Sequence, residues 1–271
     1  MTDRLEKTRR FLDLHRPGTP LLLPNPWDVG TAKQFAAVGF QALATTSNGY
    51  AGTLGRADGE LSRDEALAHA GAIADASDLP VTADLENCFA DTPEGVAETV
   101  RRAAEVGIAG CSLEDYTGDK ANVIYDAALA ADRVKAAVEV ARGEATRLVL
   151  TARAENYLHG LRDLADTIAR LQAFQSAGAD VVYAPGLSDL GEIEQVVRSV
   201  DVPVNVLLVP GGPTVPELAS VGVARISVGG AFHLVSVAAV ESAARELLEK
   251  GTHGYWEQAM QGLKIKHRAS D

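Results

Sequence analysis

The sequence predicts an α/β fold of the (β/α)8 barrel, TIM type. Three observations predict it. Short apolar runs of β character alternate with helix-period segments, and there are eight such runs. The runs are apolar almost throughout, as parallel strands are when helices cover both faces of a sheet. The length of 271 residues suits one barrel, and eight βα units fit a closed barrel better than an open doubly wound sheet. No linker, low-complexity tract or change in composition marks a second domain. Residues 1–250 are therefore expected to form the barrel and 251–271 a helical tail.

The runs follow in order: LLLP from Leu21, ALATTS from Ala42, PVTADLE from Pro80, CSLEDY from Cys111, LVLTARAE from Leu148, DVVYAPG from Asp180, PVNVLLVPGG from Pro203 and RISVGG from Arg225. Helices are expected between them. Leu161, Leu164, Ile168, Leu171 and Phe174 recur every three or four residues and share one helical face. Ser62 with Glu65, and Thr214 with Glu217, read as capping boxes; Thr92-Pro93-Glu94 reads as a cap followed by proline at the first helical position. AEVG, FQSAG and LASVG end helices in glycine. In the tail, Trp256, Met260 and Leu263 share a helical face, to be packed on the barrel or on another subunit.

Composition narrows the partners. The net charge of −12, from 37 acids against 25 bases, argues against nucleic acid and anionic membrane. No stretch approaches the ~18 apolar residues of a membrane helix. The charged N-terminus MTDRLEKTRR lacks the apolar core of a secretory signal, and Cys88 and Cys111 are too few for a disulfide scaffold. A cytoplasmic protein is the expectation. The six histidines show no zinc spacing, and neither a G-x-G-x-x-G nor a G-x-S-x-G motif is present. VPGGP at 209–213 reads as a glycine-proline turn, with a phosphate-cradling loop as the alternative.

Barrel chemistry sits where strands end at their C-terminal side. Here the first strand ends in Asn25-Pro26-Trp27-Asp28, the second in Thr45-Thr46-Ser47-Asn48, the third in Asp84 and Glu86, the fourth in Glu114 and Asp115, the fifth in Arg153 and Glu155. At i and i+2 on a strand, Asp84 and Glu86 point to one face. With Glu114 they would repel one another, a conflict that a hard divalent cation with oxygen ligands removes. Acids at strand ends also cap helices or pair with lysines. Arg153 closes a strand otherwise too apolar to want a guanidinium. It suits a grip on a carboxylate or a developing oxyanion, an ion pair with Glu155 or Glu114, or both.

In this order, NPWD, TTSNG, LGRAD, the acid-x-acid end of the third run, LED and AR-x-E resemble the isocitrate lyase / phosphoenolpyruvate mutase superfamily. The resemblance spans about Leu21 to Leu248. It implies a modified barrel whose eighth helix is exchanged between subunits in a homo-oligomer, a dimer of dimers. It implies Mg²⁺, with Mn²⁺ as a substitute, and a small carboxylic acid substrate. By position, Asp84, Glu86, Asp58 and Glu114 match the acids of the metal and its water shell. Trp27, Thr46, Ser47 and Asn48 match the loops that hold substrate, and Arg153 matches the arginine that contacts it. Glu114 and Arg153 are thus also catalytic candidates, as is Lys120, in a loop that closes over the site.

Two departures stand out. The usual Asp-x-Asp-Thr-Gly-x-Gly is here Asp84-Leu85-Glu86-Asn87-Cys88-Phe89-Ala90, with a longer second acid and no glycines. The loop after the fourth run, EDYTGDKANVIYD, lacks the Cys-Gly-His of true isocitrate lyases. The expectation is a Mg²⁺-dependent lyase that cleaves a C–C bond next to a 2-oxo or 2-hydroxy acid through an enolate, on an oxaloacetate-like or methylisocitrate-like substrate. The alternatives are P–C chemistry, as in a phosphoenolpyruvate mutase or phosphonopyruvate hydrolase, and a non-catalytic 2-oxo acid binder. Cys88 reads as small filler rather than a catalytic thiol.

Overall fold

The computed structural model describes residues 4–119, 121–143 and 147–268. The strands are β1 (Leu21–Leu23), β2 (Leu43–Ala44), β3 (Val81–Asp84), β4 (Gly110–Glu114), β5 (Val149–Arg153), β6 (Val181–Tyr183), β7 (Val204–Leu207) and β8 (Arg225–Ser227). Each lies inside one of the runs anticipated above, apart from a one-residue extension at Gly110. All pair in parallel, in the order β1-β8-β7-β6-β5-β4-β3-β2. Between β1 and β2 the ring is drawn together by Ala44 N donating to Pro24 O at 3.1 Å. The result is a nearly closed (β/α)8 barrel.

The helices are α1 (Arg4–Asp13), α2 (Val29–Val38), α3 (Ser47–Thr53), α4 (Arg63–Asp75), α5 (Pro93–Glu105), α6 (Ala127–Ala141), α7 (Leu164–Ala177), α8 (Leu190–Ser199), α9 (Val215–Ser220), α10 (Ala231–Arg245) and α11 (Trp256–Arg268). The capping boxes at Ser62 and Thr214 form, and Thr92 caps α5 by accepting from Gly95 N. α7 departs from its expected start. Leu161 stays outside it, half exposed, because Asp163 turns the chain and caps the helix by accepting from Asp166 N. The floor of the barrel is sealed by Phe11 of α1 among Leu21, Ala42, Val149 and Val181. This end holds the beginnings of the strands, so the opposite end is free for chemistry.

One helix breaks the pattern of burial. α10, continued by a π-helical turn at Glu246–Lys250, has no buried residue. Its first turn touches the barrel through Phe232 on Phe35 and His233 on Trp27. Beyond that, Val235, Val237 and Val240 are exposed. On the barrel itself Leu22 of β1 also faces outward and exposed, where a covering helix would bury it. α11 packs beside α2 with Trp256, Met260 and Leu263 still about half exposed. No helix among the described residues is long and apolar enough to cross a membrane.

Candidate active site

A cavity of about 470 Å³ opens at the C-terminal ends of the strands. Asp84, the last residue of β3, lies at its centre, and its two oxygens are held from opposite sides. Oδ1 accepts from Arg153 Nη1 at 2.8 Å; Oδ2 accepts from Ser47 N at 3.1 Å and from Ser47 Oγ at 2.9 Å. Ser47 Oγ is also 3.0 Å from Asp58 Oδ1, so its single proton can serve only one of these acids at a time. Asp58 comes from the loop after α3 and lines the same cavity. Burial, then the charge of Asp84, pushes the Asp58 carboxyl up.

Arg153, closing β5, joins the acids of three strand ends. Besides Asp84, its Nε lies 2.7 Å from Glu155 Oε1 and its Nη2 3.1 Å from Glu114 Oε2. Burial opposes its charge, but Glu155, Glu114 and Asp84 outweigh burial and keep it a cation. One guanidinium faces three buried or half-buried carboxylates. Burial raises Glu114, and raises Glu155 to about 7, despite Arg153. The cluster therefore holds protons that a further positive charge beside it would release.

Glu86 does not continue β3. The strand stops at Asp84, and the chain turns with Glu86 at φ 50°, Cys88 at φ 59° and Phe89 at φ 55°. The i, i+2 argument for Asp84 and Glu86 therefore fails; a left-handed turn, not pleating, aims the second acid. Core burial drives the turn: Leu85 and Cys88 are both fully buried, and Cys88 N closes it on Leu85 O at 2.7 Å. Arg133 of α6 staples it. That side chain is 1% exposed and donates to Asn87 O at 2.6 Å, Ala90 O at 2.8 Å and Glu114 O at 3.2 Å. Glu86 Oε1 is left buried with no hydrogen-bond partner among the described residues. Its carboxyl is pushed up to about 8 by burial, then by Asp84 and Asp58. The Cys88 thiol is also pushed up by burial, which keeps it a thiol and unreactive.

The remaining expected residues divide. Thr46, Ser47 and Asn48 line the cavity where β2 passes into α3. Thr46 spends its hydroxyl on capping α3, accepting from Gly49 N. Asn48 sits against Gly230, where a β-carbon would come within 2.5 Å of Asn48 Oδ1 and push that side chain aside. Trp27 is set back from the cavity, packed on Phe35 and His233. Lys120 lies outside the described residues. The loop that carries it is pinned at its base by a bridge between Tyr116 and Ile124, and Tyr116 stacks on His159 at 3.9 Å.

The sequence matches the model of the phosphoenolpyruvate phosphomutase family over residues 11–248. The chain belongs to this family. It is therefore an enzyme of the isocitrate lyase / phosphoenolpyruvate mutase type, a class of carbon–carbon lyases and mutases. A crystal structure from Burkholderia cenocepacia J2315, classed provisionally as a lyase/mutase, superposes with a TM-score of 0.93 at 48% identity, covering 97% of this chain and 95% of its own. An uncharacterised protein of Mycobacterium tuberculosis (strain ATCC 25618 / H37Rv) is 35% identical over 87% of each chain. The 2-methylisocitrate lyase of Escherichia coli (strain K12) is 29% identical, over 75% of this chain and 73% of its own.

Two residues that the strand-end reading named without a role, Thr45 and Asn25, shape this site, and four that it passed over line it. Thr45 Oγ1 accepts from Asp84 N at 2.8 Å and so fixes the acid's backbone. Asn25 ties β1, β2 and β8 together, donating to Thr45 O and accepting from Val228 N and Gly229 N. Tyr183, Asn205, Arg225 and Ser227 line the cavity from β6, β7 and β8. Their signal was present: each is a polar residue inside an otherwise apolar run. Asp115, in contrast, is tied down structurally, accepting from Glu155 N and pairing with Arg170 at 3.1 Å.

Proposed function

We propose that the protein is a Mg²⁺-dependent lyase that cleaves a C–C bond next to a 2-oxo or 2-hydroxy carboxylate, releasing one fragment as an enolate. The gathering of Asp58, Asp84, Glu86 and Glu114 around a single guanidinium carries this reading. The donor set suits a hard cation. It offers several carboxyl groups whose ionisation a cation would favour, and one buried carboxyl oxygen without a partner among the described residues. Among those residues no three acids form a ready ligand set. Mg²⁺ would then rest on one or two carboxylates, its own waters and the substrate. Asp84 and Glu86 would hold the ion, with Asp58 and Glu114 on its waters; Mn²⁺ suits the same oxygens.

When bound, the ion supplies positive charge beside the oxygen on which the enolate charge develops. The chain does the rest. Ser47 and Arg153 fix Asp84 from both sides, so the acid needs no reorganisation during reaction. Arg153 keeps a cation near the developing charge. Leu158, Leu207, Val209 and Leu234 are among the apolar residues that line the cavity. Closure of the 116–124 loop, with Lys120, completes the proposal. The similarity to the E. coli 2-methylisocitrate lyase supports a C–C lyase.

The test is a screen of the Mg²⁺-loaded protein against oxaloacetate, 2-methylisocitrate and phosphonopyruvate, reading pyruvate and phosphate. Mg²⁺-dependent C–C cleavage, lost in Asp84→Ala, is expected. Turnover of phosphonopyruvate alone, with phosphate release, would replace this reading with P–C chemistry. Binding without turnover would make the protein a 2-oxo acid binder.

A further inference from the structure

The cavity has a second cation, at its inner end. Arg225 is the first residue of β8, on the floor side of the barrel, yet it lines the cavity that Asp58, Asp84 and Arg153 line at the mouth. It is 4% exposed. Its Nε donates to Asn205 Oδ1 at 2.9 Å, and its Nη1 lies 3.4 Å from His15 Nε2. Neither neighbour is an anion. Asn205 is a neutral amide, and burial pushes His15 down to about 3, so its ring is neutral too. Among the described residues no carboxylate forms an ion pair with Arg225. The charged or titratable neighbours that act on it are Tyr183 and Arg153.

The other two arginines of the barrel interior meet oxygens that carry full or partial negative charge, although Arg133 Nε has no hydrogen-bond partner among the described residues. Arg153 serves three carboxylates, and Arg133 serves three carbonyls and the face of Tyr125. Arg225 remains charged at neutral pH, although burial, with help from Arg153, pushes it down to about 9. A buried guanidinium without an anion is costly, and an anion delivered into the cavity removes that cost. The surroundings are set for one. Asn205 Nδ2 donates to Ser227 Oγ at 3.1 Å, holding both polar side chains beside Arg225.

We propose that Arg225 seats a second carboxylate of the substrate, so that the site selects 2-oxo and 2-hydroxy dicarboxylates over monocarboxylates of the same length. This rests on the lyase reading for the position of the first carboxylate, and it adds what that reading leaves open, the residue that reads the second. Arg153, with its donors committed to protein acids, orders the acid cluster. Arg225 reads the far end of the ligand by a charge-assisted, bidentate contact.

Calorimetric titration of the Mg²⁺-loaded protein tests the proposal, with malate against 2-hydroxybutyrate as a pair matched in length, and phosphonopyruvate as a third probe. Malate is expected to bind at least tenfold tighter than 2-hydroxybutyrate. Arg225→Met should lower malate affinity at least tenfold and leave 2-hydroxybutyrate within about twofold, while Arg225→Lys keeps the preference. Without ligand, Arg225→Met should melt at or above the wild-type temperature, because an unpaired buried charge is gone. Equal affinity for the pair, a preference that survives Arg225→Met, or a destabilised variant that loses both ligands alike would overturn the proposal. So would Arg225-dependent binding of phosphonopyruvate that exceeds malate tenfold, since the second group would then be a phosphonate. An Arg225-dependent preference for malate in a protein that turns over nothing retires the lyase reading and leaves this one standing.

Discussion

Glu86 holds its proton at neutral pH because burial and the charges of Asp84 and Asp58 all oppose ionisation. The ordinary value is 4.5 and the folded value about 8, so between them the native state binds more protons than the unfolded chain. Stability then falls as pH rises through that window. Scanning calorimetry of the metal-free protein is expected to show the melting temperature dropping as pH rises from 5 to 8. Glu86→Gln should flatten the slope, and added Mg²⁺ should reverse it by supplying the missing counter-charge. Asp84 has the opposite standing, fixed from both sides and central to the cluster. Asp84→Ala is expected to reduce kcat/KM by more than about a hundredfold, beyond what loss of an outer-shell partner costs. A steady-state assay checks it.

At the scale of elements, the turn after β3 shows how an active-site segment is kept in an unfavourable conformation. Three non-glycine residues with positive φ are costly, and such residues persist only where the surroundings over-determine them. Here Arg133 does so from α6, with Thr99 Oγ1 on Cys88 O at 2.7 Å from α5. Arg133→Met is expected to destabilise the fold by about 3 kcal/mol, since buried carbonyls lose a charged donor. Urea unfolding measures it. The same variant should weaken Mg²⁺ binding by releasing Glu86. The sequence marked this segment as unusual through its lost glycines, but it could not show the turn. The acid-x-acid spacing argues for a strand unless one knows that Leu85 and Cys88 are both drawn into the core.

For the whole molecule, α10 is the exposed apolar surface. It has no buried residue and leaves Val235, Val237 and Val240 exposed, the kind of apolar surface that marks an interface. Leu22 on β1 is exposed on the barrel side that this helix would cover in an ordinary barrel. Exchange of α10 between two copies would bury both surfaces, with α11 as a further contact in a dimer of dimers. Val240→Asp with Val235→Asp is expected to yield smaller species in light scattering, with a lower melting temperature. An unchanged mass would count against the exchange.

The sequence by itself determined the barrel. Strand positions, capping boxes and the terminal glycines of helices are local, and periodicity, caps and glycine express them within a few residues. It also placed Asp84, Glu114 and Arg153 at one mouth, since strand ends in a barrel converge. Tertiary structure alone decided how charge is partnered. Arg153 meets Asp84 across 69 residues, and Arg225 meets His15 across 210. No local pattern records such pairings, because barrel closure creates them. Hence three acids share one guanidinium at the mouth while another guanidinium is buried without an acid at the inner end, though both arginines look alike in the sequence, each a lone cation in an apolar strand.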